Sequence, residues 1–174
     1  MANSHDWLAY AGEWDPAAKT VVGNEPFALL LANDFLTNSG KGITSDLISG
    51  YEKTGKSQLS VMEVDGPDIS KYGVIVLNKE TGLVTGLIEK PNFENAPSNL
   101  ASIGRYVLTP DIFDILRNQP NGVAGEIQLA DSINVQAANN MVEAVLLNGK
   151  RYDCGSVKGY IEAIKNVASN YKFD

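Results

Sequence analysis

From Thr20 onward the chain breaks into short apolar blocks separated by polar turns, with two different periods. Phe27 to Leu31 reads Phe-Ala-Leu-Leu-Leu, a continuous apolar run of the kind that forms a strand buried on both faces. Ser57 to Val64 alternates as a strand does. Tyr72 to Leu77 and Leu83 to Glu89 flank Asn78-Lys79-Glu80-Thr81-Gly82, which predicts a hairpin with glycine at its turn. Ser102 to Leu108 and Val142 to Leu147 add two more strands. Between them lie helical spacings. Thr44-Ser45-Asp46 offers capping side chains for a helix reaching about Lys53, and Gly55 stops it. Thr109 is placed to cap a helix with Pro110 at its first position, running to Asn118 and broken by Pro120-Asn121-Gly122. Glu126 to Asn139 repeats apolar residues at helical spacing through Ile127, Ala130, Ile133, Val135 and Ala137. Ser156 opens a last helix with Tyr160, Ala163, Ile164 and Val167 on one face. The order of elements predicts one α/β domain with a mixed sheet over residues 19–174. Residues 1–18 stand apart: Trp7, Trp14 and His5 follow no period, and the segment reads as a packed arm, with a leader or a cloning remnant as alternatives.

Composition narrows the function classes. With 174 residues, 44% hydrophobic and 20% charged, the chain supports one domain with a real core. A net charge of -7 argues against a general nucleic-acid or anionic-membrane binder, because no basic surplus neutralises phosphates. One small phosphate site, needing only a lysine or two, remains compatible. No apolar run reaches the roughly 20 residues that span a bilayer, and no basic-then-apolar leader opens the chain. Cys154 has no partner for an internal disulfide, which fits a reducing cytoplasm. One His and one Cys leave zinc sites and Cys/His catalysis without ligands.

Three places carry candidate chemistry. Glu89-Lys90-Pro91 ends a predicted strand, where ligand sites of α/β sheets collect. A carboxylate there accepts bonds from vicinal sugar hydroxyls, and the ammonium beside it meets a phosphate. The plainer reading is an exposed charged strand end. Asp153 stands just before the Gly155-Ser156 helix start, suited to Mg²⁺, which takes one or two carboxylates plus phosphates and water. Lys158 in the first turn after it is within reach of a phosphate. A surface turn aspartate and a solvated lysine are the plainer alternatives. Asn33-Asp34 follows the first apolar run, as ligand or metal residues do, and equally as a turn does.

In order and spacing these signals say more. Gly23-Asn24-Glu25-Pro26-Phe27-Ala28, Tyr72-Gly73-Val74, Glu89-Lys90-Pro91, Ala96-Pro97-Ser98-Asn99-Leu100-Ala101, Gly104-Arg105-Tyr106, Gly125-Glu126-Ile127-Gln128-Leu129 and Asp153-Cys154-Gly155 are seven collinear segments. The chain from about Ala18 to Tyr171 resembles, in them, the C-terminal two-thirds of the bacterial UTP–glucose-1-phosphate uridylyltransferase (UDP-glucose pyrophosphorylase) family. The resemblance implies a partial Rossmann-like, glycosyltransferase-A-like nucleotidyltransferase fold without its first βαβ half. It implies a reaction in which glucose-1-phosphate attacks the α-phosphorus of UTP and releases pyrophosphate. By position, Gly73 approaches the sugar through its backbone, and Glu89 and Asn99 bind substrate. Lys90 and Lys158 meet phosphate. Asp153, with Asn33 and Asp34, holds Mg²⁺.

Three departures qualify the resemblance. The family's Gly-x-Gly-Thr-Arg-type loop, which cradles the triphosphate, has no counterpart, and residues 1–18 hold only Gly12. Where the family has Leu-Pro-Asp-Asp, this chain has Leu31-Ala32-Asn33-Asp34. In Asp153-Cys154-Gly155-Ser156-Val157-Lys158-Gly159-Tyr160 the lysine is displaced by one position, about 100° around a helix. The expectation is a truncated homologue that keeps a pocket for glucose-1-phosphate or UDP-glucose and does not turn over alone. The rivals are a nucleotidyltransferase active within a complex and a non-catalytic, self-associating or partner-binding module. Absence of the first βαβ half would bare a sheet edge, so a homo-oligomer covering it is expected.

Overall fold

The structure, a computed structural model, describes residues 18–120 and 128–170. The expected arm, apart from Ala18, and the first residues of the helix expected from Glu126 lie outside the described residues. Residues 18–22 form a helical turn, tied by Lys19 Nζ to Asp114 at 2.5 Å. Strand β1 (Phe27–Leu30) follows. It is not buried on both faces as its apolar run suggested. Phe27 and Leu29 face the core, Phe27 stacked on Phe113 with ring centroids 5.0 Å apart. Leu30 stays 52% exposed, because β1 is an edge strand paired with a single neighbour among the described residues. Next come β2 (Asp34–Asn38) and α1 (Ile43–Thr54). The N-cap of α1 is Gly42, ahead of the expected Thr44-Ser45-Asp46. Its C-terminus ends as expected on Gly55, in the left-handed region at φ 68, whose N–H donates to Tyr51 O.

Strand β3 (Ser57–Glu63) leads to the hairpin of β4 (Gly73–Leu77) and β5 (Val84–Glu89). The hairpin turn follows the sequence: Asn78 Oδ1 accepts the Glu80 and Thr81 amides, and Gly82 takes the positive φ. Then come β6 (Leu100–Leu108), α2 (Ile112–Asn118), α3 (Leu129–Ala138), β7 (Val142–Leu146), β8 (Gly149–Asp153) and α4 (Val157–Asn170). Helix α2 starts later than Thr109 because that residue is engaged elsewhere. Its amide donates to Ser57 Oγ, and its hydroxyl accepts Gln136 Nε2 at 2.8 Å, inside the core.

The strands order as β5-β4-β6-β3-β7, with β1 also on β6. β3 and β7 run parallel and the other pairs antiparallel, so the sheet is mixed. Alternation along β6 serves two layers. Ile103 and Val107 pack with Ile43 and Leu47 of α1, while Tyr106 and Leu108 pack with Phe113 of α2 and Ile133 of α3. Strands β2 and β8 form a separate two-stranded ribbon, pairing Asp34 with Asp153 and Asn38 with Gly149. Ser156 caps α4 as expected, accepting the Gly159 amide at 3.1 Å. Of the apolar face read for that helix, only Ala163 is buried; Tyr160 and Ile164 are 55% and 50% exposed.

Candidate functional site

The β4–β5 hairpin and the β2–β8 ribbon meet around a cavity of about 150 Å³. Leu87, Tyr106, Leu129 and Ile133 supply its apolar wall; Asn33, Asp34, Gly73, Glu89 and Arg151 supply polar groups. Gly73 pairs with Glu89 across the hairpin. A Cβ on Gly73 would stand 3.0 Å from Glu89 Oε2, so the bare backbone leaves that carboxylate its room. Lys90 follows with its Nζ 3.8 Å from Glu89 Oε1, both side chains partly open to solvent. The Lys90 backbone sits at φ 45, and its N–H donates to Tyr72 O at 3.0 Å. A left-handed lysine directly before proline is an uncommon conformation that the surrounding hydrogen bonds must hold, and such outliers gather at functional sites.

The Asn33-Asp34 pair splits into two roles. Asp34, 4% exposed, accepts the Gly104 amide on Oδ2 at 2.8 Å and faces Arg151 Nη2 with Oδ1 at 2.5 Å. Its carbonyl accepts Arg105 Nη2 at 2.9 Å. Asp34 therefore braces the ribbon against β6, its Oδ2 held by the Gly104 amide and its buried Oδ1 ion-paired with Arg151 without a hydrogen bond of its own. Asn33 is tied through its carbonyl to the Cys154 amide at 2.7 Å, which brings its side chain toward Asp153. A Cβ on Gly155 would lie 3.1 Å from Asp153 Oδ1 and 3.4 Å from Asn33 Nδ2, so the two side chains flank one small space kept open by glycine.

That donor set suits Mg²⁺. One carboxylate and one amide, whose oxygen and nitrogen positions are interchangeable by a flip, leave the remaining coordination to phosphate and water. No cluster of three or more His, Cys, Asp or Glu side chains fit to hold a metal exists among the described residues. Asp153 Oδ1 also accepts the Gly155 amide at 3.1 Å, which fixes the carboxylate's direction.

Of the residues the sequence singled out, Asn33, Asp34, Gly73 and Glu89 line the cavity together. Lys90 and Asp153 adjoin lining residues without being part of the wall. Asn99 is exposed, and its carbonyl accepts the Val64 amide; Lys158 is exposed on the first turn of α4. Sequence reasoning missed three contributors. Asn134 on α3 reaches back to β5, accepting the Leu87 amide at 2.6 Å and donating to the Leu87 carbonyl at 2.9 Å, as a neighbouring strand would. It thereby closes the edge of the strand that delivers Glu89. Tyr106, buried in the wall, has its phenol pushed up to about 12 by burial, eased by the Ser102 hydroxyl at 3.3 Å. Arg151 is the third. Burial works against its charge, but the Asp34 carboxylate more than offsets this and raises its pKa.

The chain is similar to known proteins over most of its length. The profile of the nucleotidyl transferase family matches residues 16–170. A UTP–glucose-1-phosphate uridylyltransferase of Pseudomonas aeruginosa is 42% identical over 149 residues, covering 83% of this chain and 53% of its own length. One from Streptococcus pyogenes is 45% identical over 152 residues, covering 83% of this chain and 50% of its own. The chain spans about half the length of the curated relatives it matches. Among solved structures, a UDP-glucose pyrophosphorylase complexed with UDP-glucose superposes with a TM-score of 0.81 at 43% identity, over 88% of this chain and 60% of that one.

Proposed function

Because the chain belongs to the nucleotidyl transferase family, we propose that its cavity is the sugar-phosphate side of a UTP–glucose-1-phosphate uridylyltransferase centre. The observation that carries this reading is the convergence of Gly73, Glu89, Asn33 and Asp34 on one cavity from two separate sheets. Its ligand is a hexose phosphate or the matching sugar nucleotide, glucose-1-phosphate or UDP-glucose. The relative solved with UDP-glucose supports that choice.

The chemistry asked of these residues is positioning and charge neutralisation. In the reaction, a phosphate oxygen of the sugar phosphate attacks the α-phosphorus of UTP, and pyrophosphate leaves. Gly73 lets the sugar ring approach the backbone. Glu89 accepts its vicinal hydroxyls, and Lys90 meets the phosphate with a mobile point charge. Asp153 and Asn33 are the residues that would hold Mg²⁺, which offsets the charge of converging phosphates when bound. Asp34 serves as their support, since its carboxylate accepts the Gly104 amide and is ion-paired with Arg151.

The 174 residues hold no Gly-rich triphosphate cradle. Turnover then takes a cradle from outside these residues, whether on further polypeptide or on another chain. The test is pyrophosphate release from UTP and glucose-1-phosphate with Mg²⁺. The purified chain is expected to release none. Release that disappears in Glu89→Gln would overturn the claim that it does not turn over alone. A second reading, self-association, is favoured by one observation: Val157, Tyr160, Ile161 and Ile164 leave an apolar stripe of α4 in solvent.

A further inference from the structure

The two sides of the proposed site stand on different sheets. Gly73 and Glu89 belong to the β4–β5 hairpin of the main sheet, Asp34 and Asp153 to the β2–β8 ribbon. Asp34 anchors the ribbon to β6 through the Gly104 amide. Arg151, on β8, carries the connection onward to the hairpin. One arm of its guanidinium, Nη2, lies 2.5 Å from Asp34 Oδ1. The other, Nη1, donates to Tyr72 Oη at 3.3 Å, with the guanidinium 5.2 Å from the centroid of the Tyr72 ring. Tyr72 immediately precedes Gly73, and its carbonyl holds the Lys90 amide at 3.0 Å. Along β8, Arg151 and Asp153 are two residues apart and so project to the same face of the ribbon.

A guanidinium is suited to this because its donors diverge from a rigid plane, serving two partners at a fixed angle. Its side chain is only 13% exposed, so the pair with Asp34 is nearly dry. Buried pairs of this kind add little net stability over apolar substitutes, and registry is their best-attested use. Resting on the reading of the site given above, we propose that Arg151 is a positioning residue. It sets the spacing between the Mg²⁺-holding ribbon and the sugar-holding hairpin, so that metal and sugar nucleotide bind cooperatively.

The test is calorimetric titration of UDP-glucose in Mg²⁺ and in EDTA. Its readout is the ratio of the two affinities, for wild type, Arg151→Met, Arg151→Lys and Tyr72→Leu. Couplings between sites typically amount to about 5- to 150-fold, and the wild type is expected to show a ratio within that range. Arg151→Met is expected to bring the ratio near one. Arg151→Lys keeps a charge beside Asp34 and restores folding without restoring the ratio. Tyr72→Leu, with Arg151 intact, lowers it too. A merely structural role would lower the melting temperature or the bound fraction and leave the ratio unchanged; that outcome overturns the proposal. Should Arg151→Met fail to fold, unchanged ratios in the other two variants overturn it equally. A wild type that binds UDP-glucose with no Mg²⁺ effect refutes the positioning role and leaves the site standing. A wild type that binds no UDP-glucose in either condition refutes the site itself.

Discussion

Gly159 offers a demanding check, because the structure places it where no side chain fits. It sits in the first turn of α4 against the carbonyl of Asp153. A Cβ there would lie 2.1 Å from Asp153 O and 2.8 Å from its carbon, whereas real Cβ contacts essentially never fall under 3.0 Å. The obstructing atoms are backbone, so no rotamer change relieves them; the helix must retreat from the end of β8. Overpacking of this kind costs typically 1–3 kcal/mol, about 2 at the centre of the range. Replacing glycine by alanine within a helix returns about 1 kcal/mol of intrinsic propensity. Taken at the centre of the range, the net expectation for Gly159→Ala is a loss of about 1 kcal/mol. At roughly 2–4 °C per kcal/mol for a chain of this length, the melting temperature falls by about 2–4 °C. Scanning calorimetry measures this directly, with Lys165→Ala on the same helix as the exposed reference. A Gly159→Ala protein as stable as wild type, or more stable, would mean that α4 does not approach Asp153 as described. The same retreat displaces the Asp153 carboxylate, so the variant is also expected to lose the Mg²⁺ dependence of UDP-glucose binding.

The Tyr106 phenol, raised from 10.0 to about 12 by burial, is protonated in the folded chain where the unfolded chain has already lost its proton. Its contribution is fully present below pH 10 and is lost as pH rises through 12, by about 2–3 kcal/mol in all. Urea unfolding at pH 9.5 and 11.5 should therefore show wild type losing its advantage over Tyr106→Phe; parallel behaviour of the two would refute the buried phenol. The exposed stripe on α4 predicts self-association at micromolar concentration, relieved by Ile161→Ser or Ile164→Ser. Light scattering that finds a wild-type monomer would end the second reading.

The sequence made local features legible where a single residue type forces the geometry. Gly82 and Asn78 marked the hairpin turn, Gly55 the end of α1 and Ser156 the start of α4, each through chemistry that acts within a few residues. What it hid was non-local. The ribbon of β2 and β8 joins two five-residue strands that mix polar and apolar positions and lie more than a hundred residues apart. No period betrays so short a strand. For the same reason Asp34 reads as a turn or a metal ligand until Arg151 is seen beside it. Thr109 reads as a helix cap, yet Ser57 and Gln136 claim it. The Phe27–Leu30 run shows the opposite error: apolar content promised burial on both faces, and an edge position withheld it on one. Gly73 and Glu89 reach the cavity wall from a hairpin whose turn the sequence marked. Asn134 was not legible, since a polar residue on a helix gives no hint of the strand it will clasp.

The central claim, a surviving sugar-phosphate site, is tested most directly by calorimetric titration of the purified chain with UDP-glucose, glucose-1-phosphate and UTP, each with Mg²⁺. The account predicts saturable binding of UDP-glucose or glucose-1-phosphate, abolished in Glu89→Gln, and no tight binding of UTP alone. Silence from both sugar ligands would contradict it.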